Sequence, residues 1–292
     1  MDLDSNQLET FAAVISEGSF EAAARRLHVT PSAVSQRIKG LEQQLGQVLV
    51  RRGRPCVPTE AGTALVRLAG QVALLQSETL ATIRGAGDAA TTRLPVAVNA
   101  DSLASWFLPA LVGVPDDPLV CFELRTEDQD HSAELLRDGS VMAAVTADSR
   151  PVQGCRVVRL GAMRYLGMAA PDYAARWLPD GPEPDALGRA PMLMFNRKDM
   201  LQHRYLRKLT RRPIAPPIHY VPSPWSFIEG VRLGLGWGMV PERIGHDDPR
   251  LIDLSPGRYV DVPLFWQHWN LNSPVLASLT TAVREAAAAA LR

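Results

Sequence analysis

The chain has 292 residues, and its 31 lysine and arginine residues balance its 31 aspartate and glutamate residues. Its 46% hydrophobic content excludes a wholly disordered chain, and its length predicts about two domains of roughly 100–200 residues each. The sequence has no apolar run near the roughly 18 residues of a membrane span, a polar and acidic start, and three scattered cysteines, so we expect a cytoplasmic protein with no membrane partner.

The charge is unevenly distributed along the sequence. Between residues 20 and 60, seven basic residues stand against three acidic ones, and the rest of the chain carries the compensating negative charge. A local basic excess attracts phosphates whatever the net charge, although a solvated surface produces the same excess. The order and spacing of the residues distinguish a phosphate-binding surface from an ordinary solvated one.

The first segment has the pattern of three helices. Apolar residues at helical spacing predict a first helix that ends at Gly18, and Ser19 can cap a second helix over residues 21–27. Thr30 precedes a proline and predicts the start of a third helix over about residues 31–45. One side of this third helix is aliphatic and the other carries serine, glutamine and basic side chains. That polarity suits a helix in a DNA major groove, although an ordinary exposed face is the commoner cause.

Two short β-prone stretches follow, around an arginine-rich turn over residues 51–54. A basic hairpin beside a helix-turn-helix is a wing, which places guanidinium groups along the DNA backbone or in the minor groove. Three helices followed by such a hairpin indicate a DNA-binding domain far more specifically than either part alone.

These residues resemble the DNA-binding module of LysR-type transcriptional regulators over about the first 62 positions. The resemblance is carried by Glu9-Thr10-Phe11, Gly18-Ser19-Phe20, residues 22–27, residues 31–36, Ile38, Leu41-Glu42 and residues 58–62. It implies a winged helix-turn-helix domain over residues 1–58, with the helix-turn-helix at about 19–38. It further implies DNA contacts from Ser32, Ser35, Gln36, Arg37 and Lys39 in the groove and from Arg51, Arg52 and Arg54 in the wing. Val50 departs from the usual family pattern, in which phenylalanine precedes the wing.

A long helix is predicted from Thr59 to about residue 86. Its apolar seam averages near 3.5 residues per repeat and consists of Leu65, Leu68, Val72, Leu75, Thr79 and Ile83. We expect residues 59–88 to form a linker and dimerisation helix, because two DNA half-sites need two heads at a fixed spacing. A homodimer or a tetramer satisfies this requirement, and packing on its own domain is the alternative for this helix.

The remaining two hundred residues alternate between strand-like and helical stretches, which predicts an α/β domain. The predicted strands are 94–98, 141–146, 165–168 and 192–195, and the predicted helices are 102–111, 172–177 and 199–209. The resemblance implies an effector-binding domain over residues 91–292 with two lobes like those of periplasmic binding proteins. Lobe I is expected at about 91–162 and 267–292, and lobe II at about 163–266. The whole chain is then an α+β multidomain protein.

Residues at or just after strand ends are the candidate ligand contacts, because small molecules bind there in open α/β sheets. They are Asn99, Asp101, Ser102, Asp128, Thr146, Phe195 and Asn196. The Ser102 hydroxyl could hold a carboxylate or belong to an N-cap, and the acidic loop around Asp128 could attract a cation, bind a metal weakly or cap a helix. Phe195 and Asn196 could contact a ligand or form a turn.

The sequence contains no nucleophile-elbow motif, no zinc-protease motif and no histidines at metal-ligand spacing, so we expect neither an enzyme nor a metal site or cofactor. Three stretches resemble the LysR-type branch that senses basic amino acids, namely residues 99–111, 128–131 and 195–199. The resemblance implies L-lysine or L-arginine as effector, double-stranded DNA and RNA polymerase as partners, and activation of an exporter gene. An architectural or replication-origin DNA-binding protein and an amino-acid-metabolising enzyme with a fused DNA-binding head are the alternatives.

Overall fold

The computed structural model describes residues 3–84, 91–115, 119–127, 132–210 and 212–292. Residues 1–58 contain three helices and a two-stranded hairpin, and a long helix follows. Their bounds are α1 (Ser5–Glu17), α2 (Phe20–Arg26), α3 (Pro31–Leu45), β1 (Val50–Arg51), β2 (Val57–Pro58) and α4 (Glu60–Arg84). We refer to α1–α3 with the hairpin as the head and to α4 as the linker helix.

The helix boundaries of the head follow from local capping. The Ser19 and Thr30 hydroxyls accept hydrogen bonds from the amides of Ala22 and Ala33 at 3.1 and 3.2 Å, each contributing about 1 kcal/mol. Gly18 ends α1 in the left-handed region at φ 67°, which a glycine adopts without strain. The predicted caps are confirmed, and α2 begins one residue earlier than the sequence pattern indicated.

The aliphatic side of α3 forms the centre of the head's core. Val34, Ile38 and Leu41 pack there against α1 and the hairpin. Val50 is buried in the same core, so valine at this position packs without the phenylalanine that is commoner in the family. The linker helix begins in this core through Leu65 and Ala69, so Leu65 does not belong to the dimerisation seam that we predicted.

The C-terminal region alternates between strands and mostly short helices. In chain order the elements are β3 (Thr92–Asn99), α5 (Ala100–Ser105), α6 (Leu108–Val112), β4 (Val120–Glu127), α7 (Ser132–Arg137), β5 (Ala143–Thr146), β6 (Cys155–Ala169), α8 (Pro171–Trp177), α9 (Pro184–Leu187), β7 (Met192–Met194), α10 (Leu201–Leu209), β8 (Ile218–Tyr220), α11 (Pro224–Arg232), β9 (Gly238–Pro241), α12 (Glu242–Gly245), β10 (Ile252–Asp253), β11 (Tyr259–Trp269) and α13 (Pro274–Ala290).

Two of the elements that we predicted for this region from the sequence were wrong. The helix expected over 102–111 is two short helices, because Pro109 lacks an amide and its ring disfavours a continuous helix through the residue before it. The strand expected over 165–168 is the end of the 15-residue strand β6. Its pairing with β11 joins residues about a hundred positions apart, which no local pattern records.

One sheet connects two groups of elements through the long strands β6 and β11. Its order is β10-β6-β11-β5-β3-β4, with β9 also paired to β6. The first half of β6 lies beside the part of β11 that pairs with β5, whereas β9 and β10 pair with the second half of β6. We refer to the β3–β5 group as the first lobe and to the β7–β10 group as the second lobe. The register shifts between Leu264 and Phe265, opposite Gly161, and we refer to this irregularity as the hinge.

Candidate nucleic-acid interface and ligand cleft

The outer side of α3 is polar and accessible. Ser32, Gln36 and Lys39 are exposed on it, and Ser35 is half-buried at its edge. Glutamine carries the donor and acceptor pair that can read a base edge, and serine and lysine can hold phosphate oxygens. The side of α3 opposite its buried aliphatic residues therefore has the chemistry of a recognition helix.

Arg37 differs from the other predicted groove residues. Its guanidinium donates a hydrogen bond of 3.1 Å to the Thr10 hydroxyl, and Thr10 is buried on α1. The Thr10 hydroxyl in turn donates to the Asn6 carbonyl at 2.6 Å. Arg37 is half-buried and connects α3 to α1, so its role in the free protein includes positioning the recognition helix.

Hydrogen bonds donated by amides of the hairpin region fix the wing relative to α3 and to the end of α1. The Glu42 carboxylate on α3 accepts from the amides of Leu49 and Val50 at 2.8 and 3.4 Å. The Cys56 amide donates to the Gly18 carbonyl at 2.7 Å. Between these attachments Arg51, Arg52 and Arg54 are exposed, and the Arg52 guanidinium lies 5.0 Å from the centre of the Phe20 ring. The hairpin thus presents three guanidinium groups from a fixed base, as a DNA-contacting wing requires.

A second group of polar side chains lies where β3 ends and α5 begins. Asn99 occupies the N-cap position of α5, yet its side chain makes no capping bond. Asn99 is 4% exposed and Ser102 is fully buried, and the Asn99 Oδ1 and Ser102 Oγ atoms have no hydrogen-bond partner among the described residues. Buried polar atoms are costly when unpaired, so these two atoms are suited to a ligand, and neither performs the capping role that we considered as the alternative.

Asp101 is in the same turn and faces residues of the second lobe. The buried Tyr165 hydroxyl on β6 donates to its Oδ2 at 2.6 Å. Burial raises the pKa of the Asp101 carboxyl, the Tyr165 hydrogen bond opposes this, and the nearby Asp199 carboxylate adds to the rise. The residue is half-buried, and among the described residues no lysine or arginine forms an ion pair with it. A cationic ligand group would supply the charge that this carboxylate lacks.

The other predicted cleft residues have local bonds of their own. The Thr146 hydroxyl accepts from the Asp148 amide at 3.1 Å, and Thr146 is fully buried. The Asn196 Oδ1 accepts from the amides of Lys198 and Asp199 at 2.8 and 3.1 Å, which forms the turn we considered as an alternative. Phe195 is half-buried beside that turn, and Asp128 lies outside the described residues.

Tyr165 and Asp199 were not among the predicted site residues. Asp199 belongs to the stretch 195–199, and its carboxylate accepts from the Phe195 amide at 3.1 Å and from the Leu201 amide, the first of α10, at 2.9 Å. Its proximity to Asp101 comes from the fold alone. A buried tyrosine within an apolar strand could have suggested a hydrogen-bonded partner, but not which carboxylate it would meet.

Within the described ranges, none of the helices combines the length and apolarity needed to cross a membrane. Across the same residues, no three histidine, cysteine, aspartate or glutamate side chains are grouped so that they could hold a metal ion.

Two family models match this chain. A model described as "Bacterial regulatory helix-turn-helix protein, lysR family" matches residues 5–63, and one described as "LysR substrate binding domain" matches residues 87–288. The first match spans the head and the start of the linker helix. The second spans both lobes, so the two families occur here in one chain.

Individual relatives are similar over nearly the whole chain. The HTH-type transcriptional regulator LysG of Mycobacterium tuberculosis (strain ATCC 25618 / H37Rv) is 50% identical, over 99% of this chain and 95% of its own length. The crystal structure of ArgP from Mycobacterium tuberculosis is 50% identical with a TM-score of 0.88, covering 100% of this chain and 99% of that one. Full-length LysG from Corynebacterium glutamicum with bound effector Arg is 41% identical with a TM-score of 0.79, covering 99% and 100%.

Proposed function

Because the chain belongs to the family of LysR-type bacterial transcriptional regulators, we propose that it binds a specific DNA sequence and responds to L-arginine or L-lysine. The DNA-binding part is supported by the exposed polar side of α3 and the arginine wing beside it. The choice of effector is supported by the relative whose structure holds arginine and by the chemistry of the cleft. We also propose that it acts in the cytoplasm, where a bacterial chromosome is available to a DNA-binding regulator.

The observation that carries the effector proposal is the Asp101 carboxylate. It is half-buried, receives one hydrogen bond from Tyr165, and has no basic side chain paired with it in the described part of the chain. A guanidinium or ammonium group would satisfy it and offset the cost of its burial. The Asn99 Oδ1, an acceptor without a partner among the described residues, is available to the same cation.

The other end of the effector meets a different group. The Ser102 hydroxyl can donate a hydrogen bond to the effector carboxylate. Thr146 ends β5, which pairs with β3, and Phe195 follows β7 in the second lobe. Asp199 adds negative charge near Asp101. The cleft thus combines acidic groups for a cation with a hydroxyl for a carboxylate, which is the polarity of a basic amino acid.

We further infer that the protein is a homodimer joined through the linker helix. After Leu65, the predicted seam continues on an exposed side of α4 with Leu68, Leu75 and Ile83, of which Ile83 is 74% exposed. At 1.5 Å per residue, the 25 residues of α4 extend about 37 Å, enough to hold two heads on successive half-sites. Activation of a basic amino acid exporter gene, through contacts with RNA polymerase, is the regulatory output we propose.

Calorimetric titration of the full-length protein tests the effector. We expect heat with L-arginine or L-lysine and none with L-citrulline or L-norleucine, which match their shapes without the side-chain charge. Equal binding of the charged and uncharged members of each pair, or binding of none, would contradict the proposal.

The DNA part needs a separate measurement. A duplex selected from random DNA by the full-length protein should compete at least about 10³-fold better than its scrambled sequence at the same salt concentration. A ratio near one would favour the architectural DNA-binding protein instead.

A further inference from the structure

Helix α13 begins at a buried carboxylate of the linker helix. Glu78 on α4 is 8% exposed, and its Oε1 accepts from the Ser273 hydroxyl at 2.6 Å and the Val275 amide at 3.0 Å. The Ser273 hydroxyl also caps α13 through the Leu276 amide at 3.1 Å. A buried carboxylate is tolerated only when donors satisfy it, and the positive end of a helix suits it. The start of α13 and the linker helix are therefore joined at one place.

Other contacts fix the same face of the linker helix to the first lobe. The Ser77 hydroxyl is 2.8 Å from the Thr92 hydroxyl at the start of β3, and Leu74 is buried in the core of the lobe. Because Leu65 of the same helix belongs to the core of the head, α4 is shared by the two parts. A displacement of α4 relative to the first lobe would therefore move the head.

The other end of α13 lies at the hinge. The Arg292 amide donates to the Ala162 carbonyl at 3.0 Å, and the Ala162 amide donates to the Arg292 carbonyl at 2.8 Å. The Arg292 guanidinium donates to Glu242 Oε2 at 3.1 and 3.0 Å, and Glu242 begins α12 in the second lobe. Gly161 has a φ of 136°, and a Cβ there would lie 2.9 Å from Leu291, so residues 291–292 pack closely on the hinge.

Between these ends α13 is a continuous helix of 17 residues, about 25 Å long. Leu276, Leu279 and Val283 are buried in the domain core, and the Trp266 indole donates to the Thr280 hydroxyl at 3.0 Å. A packed helix moves as a unit rather than bending along its length. A displacement of one end of α13 is therefore expected to displace the other end.

We propose that α13 transmits the position of the second lobe to the linker helix, with Glu78 as the positioning residue at the point of attachment. A change of lobe position at the hinge displaces Glu242 and Ala162, then α13, and then α4 through Glu78. As a route for the effector signal this rests on the proposed function. The attachment of α13 to both the hinge and α4 stands independently of any effector.

The first test compares Glu78→Gln with the parent protein. We expect arginine to bind the variant with nearly unchanged affinity, while the arginine-dependent change in affinity for the selected duplex, typically about 5- to 150-fold for allosteric pairs, falls toward one. Ser273→Ala is the milder second variant if Glu78→Gln does not fold. Glu285 is an exposed acidic residue on α13, so Glu285→Gln is the matched control and should behave as the parent does. An undiminished arginine response in Glu78→Gln, or in Ser273→Ala if Glu78→Gln does not fold, would overturn the proposal.

The second test needs no effector. Glu242→Gln removes the charge that Arg292 contacts at the hinge, and amide hydrogen exchange then reports on the distant residues 74–82 of α4. We expect faster exchange there, with no change in Glu285→Gln. An effect confined to residues near the hinge would overturn the proposal. If the parent protein binds neither arginine nor lysine, the proposed function fails, and this exchange result still decides the role of α13.

Discussion

The head and the proposed ligand cleft differ in how exposed their charged side chains are. The head exposes Lys39, Arg51 and Arg54 to solvent, where a charge costs little to maintain and its attraction is screened by salt. The cleft keeps the Asp101 carboxyl partly buried, where burial raises its pKa. Exposed charges give attraction with little selectivity, whereas a buried charge that lacks a counterion selects strongly for whatever neutralises it. The zero net charge of the chain therefore combines an exposed basic surface on the head with a partly buried acidic group at Asp101, and the two suit different kinds of ligand.

The largest expected effect is the loss of effector binding in Asp101→Asn. Removing one partner of a desolvated charge pair costs about 2–5 kcal/mol, or about 30-fold or more in affinity for arginine. The same change should raise the free energy of unfolding without ligand near neutral pH, because a carboxyl whose folded pKa is raised favours the folded state less as pH rises. Calorimetry and chemical denaturation measure the two effects.

Asp172→Asn is the control, since Asp172 is an exposed acid in the first turn of α8. It should change neither arginine affinity nor stability appreciably. If Asp101→Asn bound arginine as the parent protein does, the cation would have to be held elsewhere in the cleft.

The next effect concerns selectivity for DNA. Gln36→Ala removes an exposed amide from the centre of the outer side of α3, and each lost base contact costs about 1–3 kcal/mol of discrimination. We expect the ratio of affinities for the selected and scrambled duplexes to fall, with little change for the scrambled one. Gln47→Ala, an exposed glutamine just beyond α3, should leave the ratio intact.

A smaller and more uniform effect is expected in the wing. Arg52→Ala should weaken binding to both duplexes alike and reduce the slope of log affinity against log salt by about one, because a phosphate contact carries no sequence information. Arg284→Ala removes the same charge from the exposed side of α13 and provides the comparison. Unequal losses on the two duplexes would mean that the wing also discriminates between sequences.

The same contrast explains how far the sequence could predict the structure. The helices of the head depend on residues close to one another, such as Ser19 with Ala22 and the cap at Thr30, so a local pattern was sufficient. The cleft joins Asp101 to Tyr165 and brings in Asp199 through the fold of two lobes. No residue spacing encodes such a contact. The hydrogen bonds between Glu78 of α4 and the start of α13 were not predicted for the same reason.

The smallest expected effect is the pH dependence of arginine binding. A cationic effector favours the ionised form of Asp101, so its pKa is lower in the complex than in the free protein, and binding releases protons below the raised pKa. Affinity should therefore be constant well above that pKa and fall as pH decreases through it, by at most about tenfold per pH unit for a single proton. Tyr165 does not contribute in this range, because burial and the nearby Asp101 hold its pKa well above the usual value. Titrations in two buffers of different ionisation heat would count the protons. Affinity that rose at lower pH, or a decline that persisted in Asp101→Asn, would assign the titration to another group and leave the Asp101 carboxylate without its proposed role.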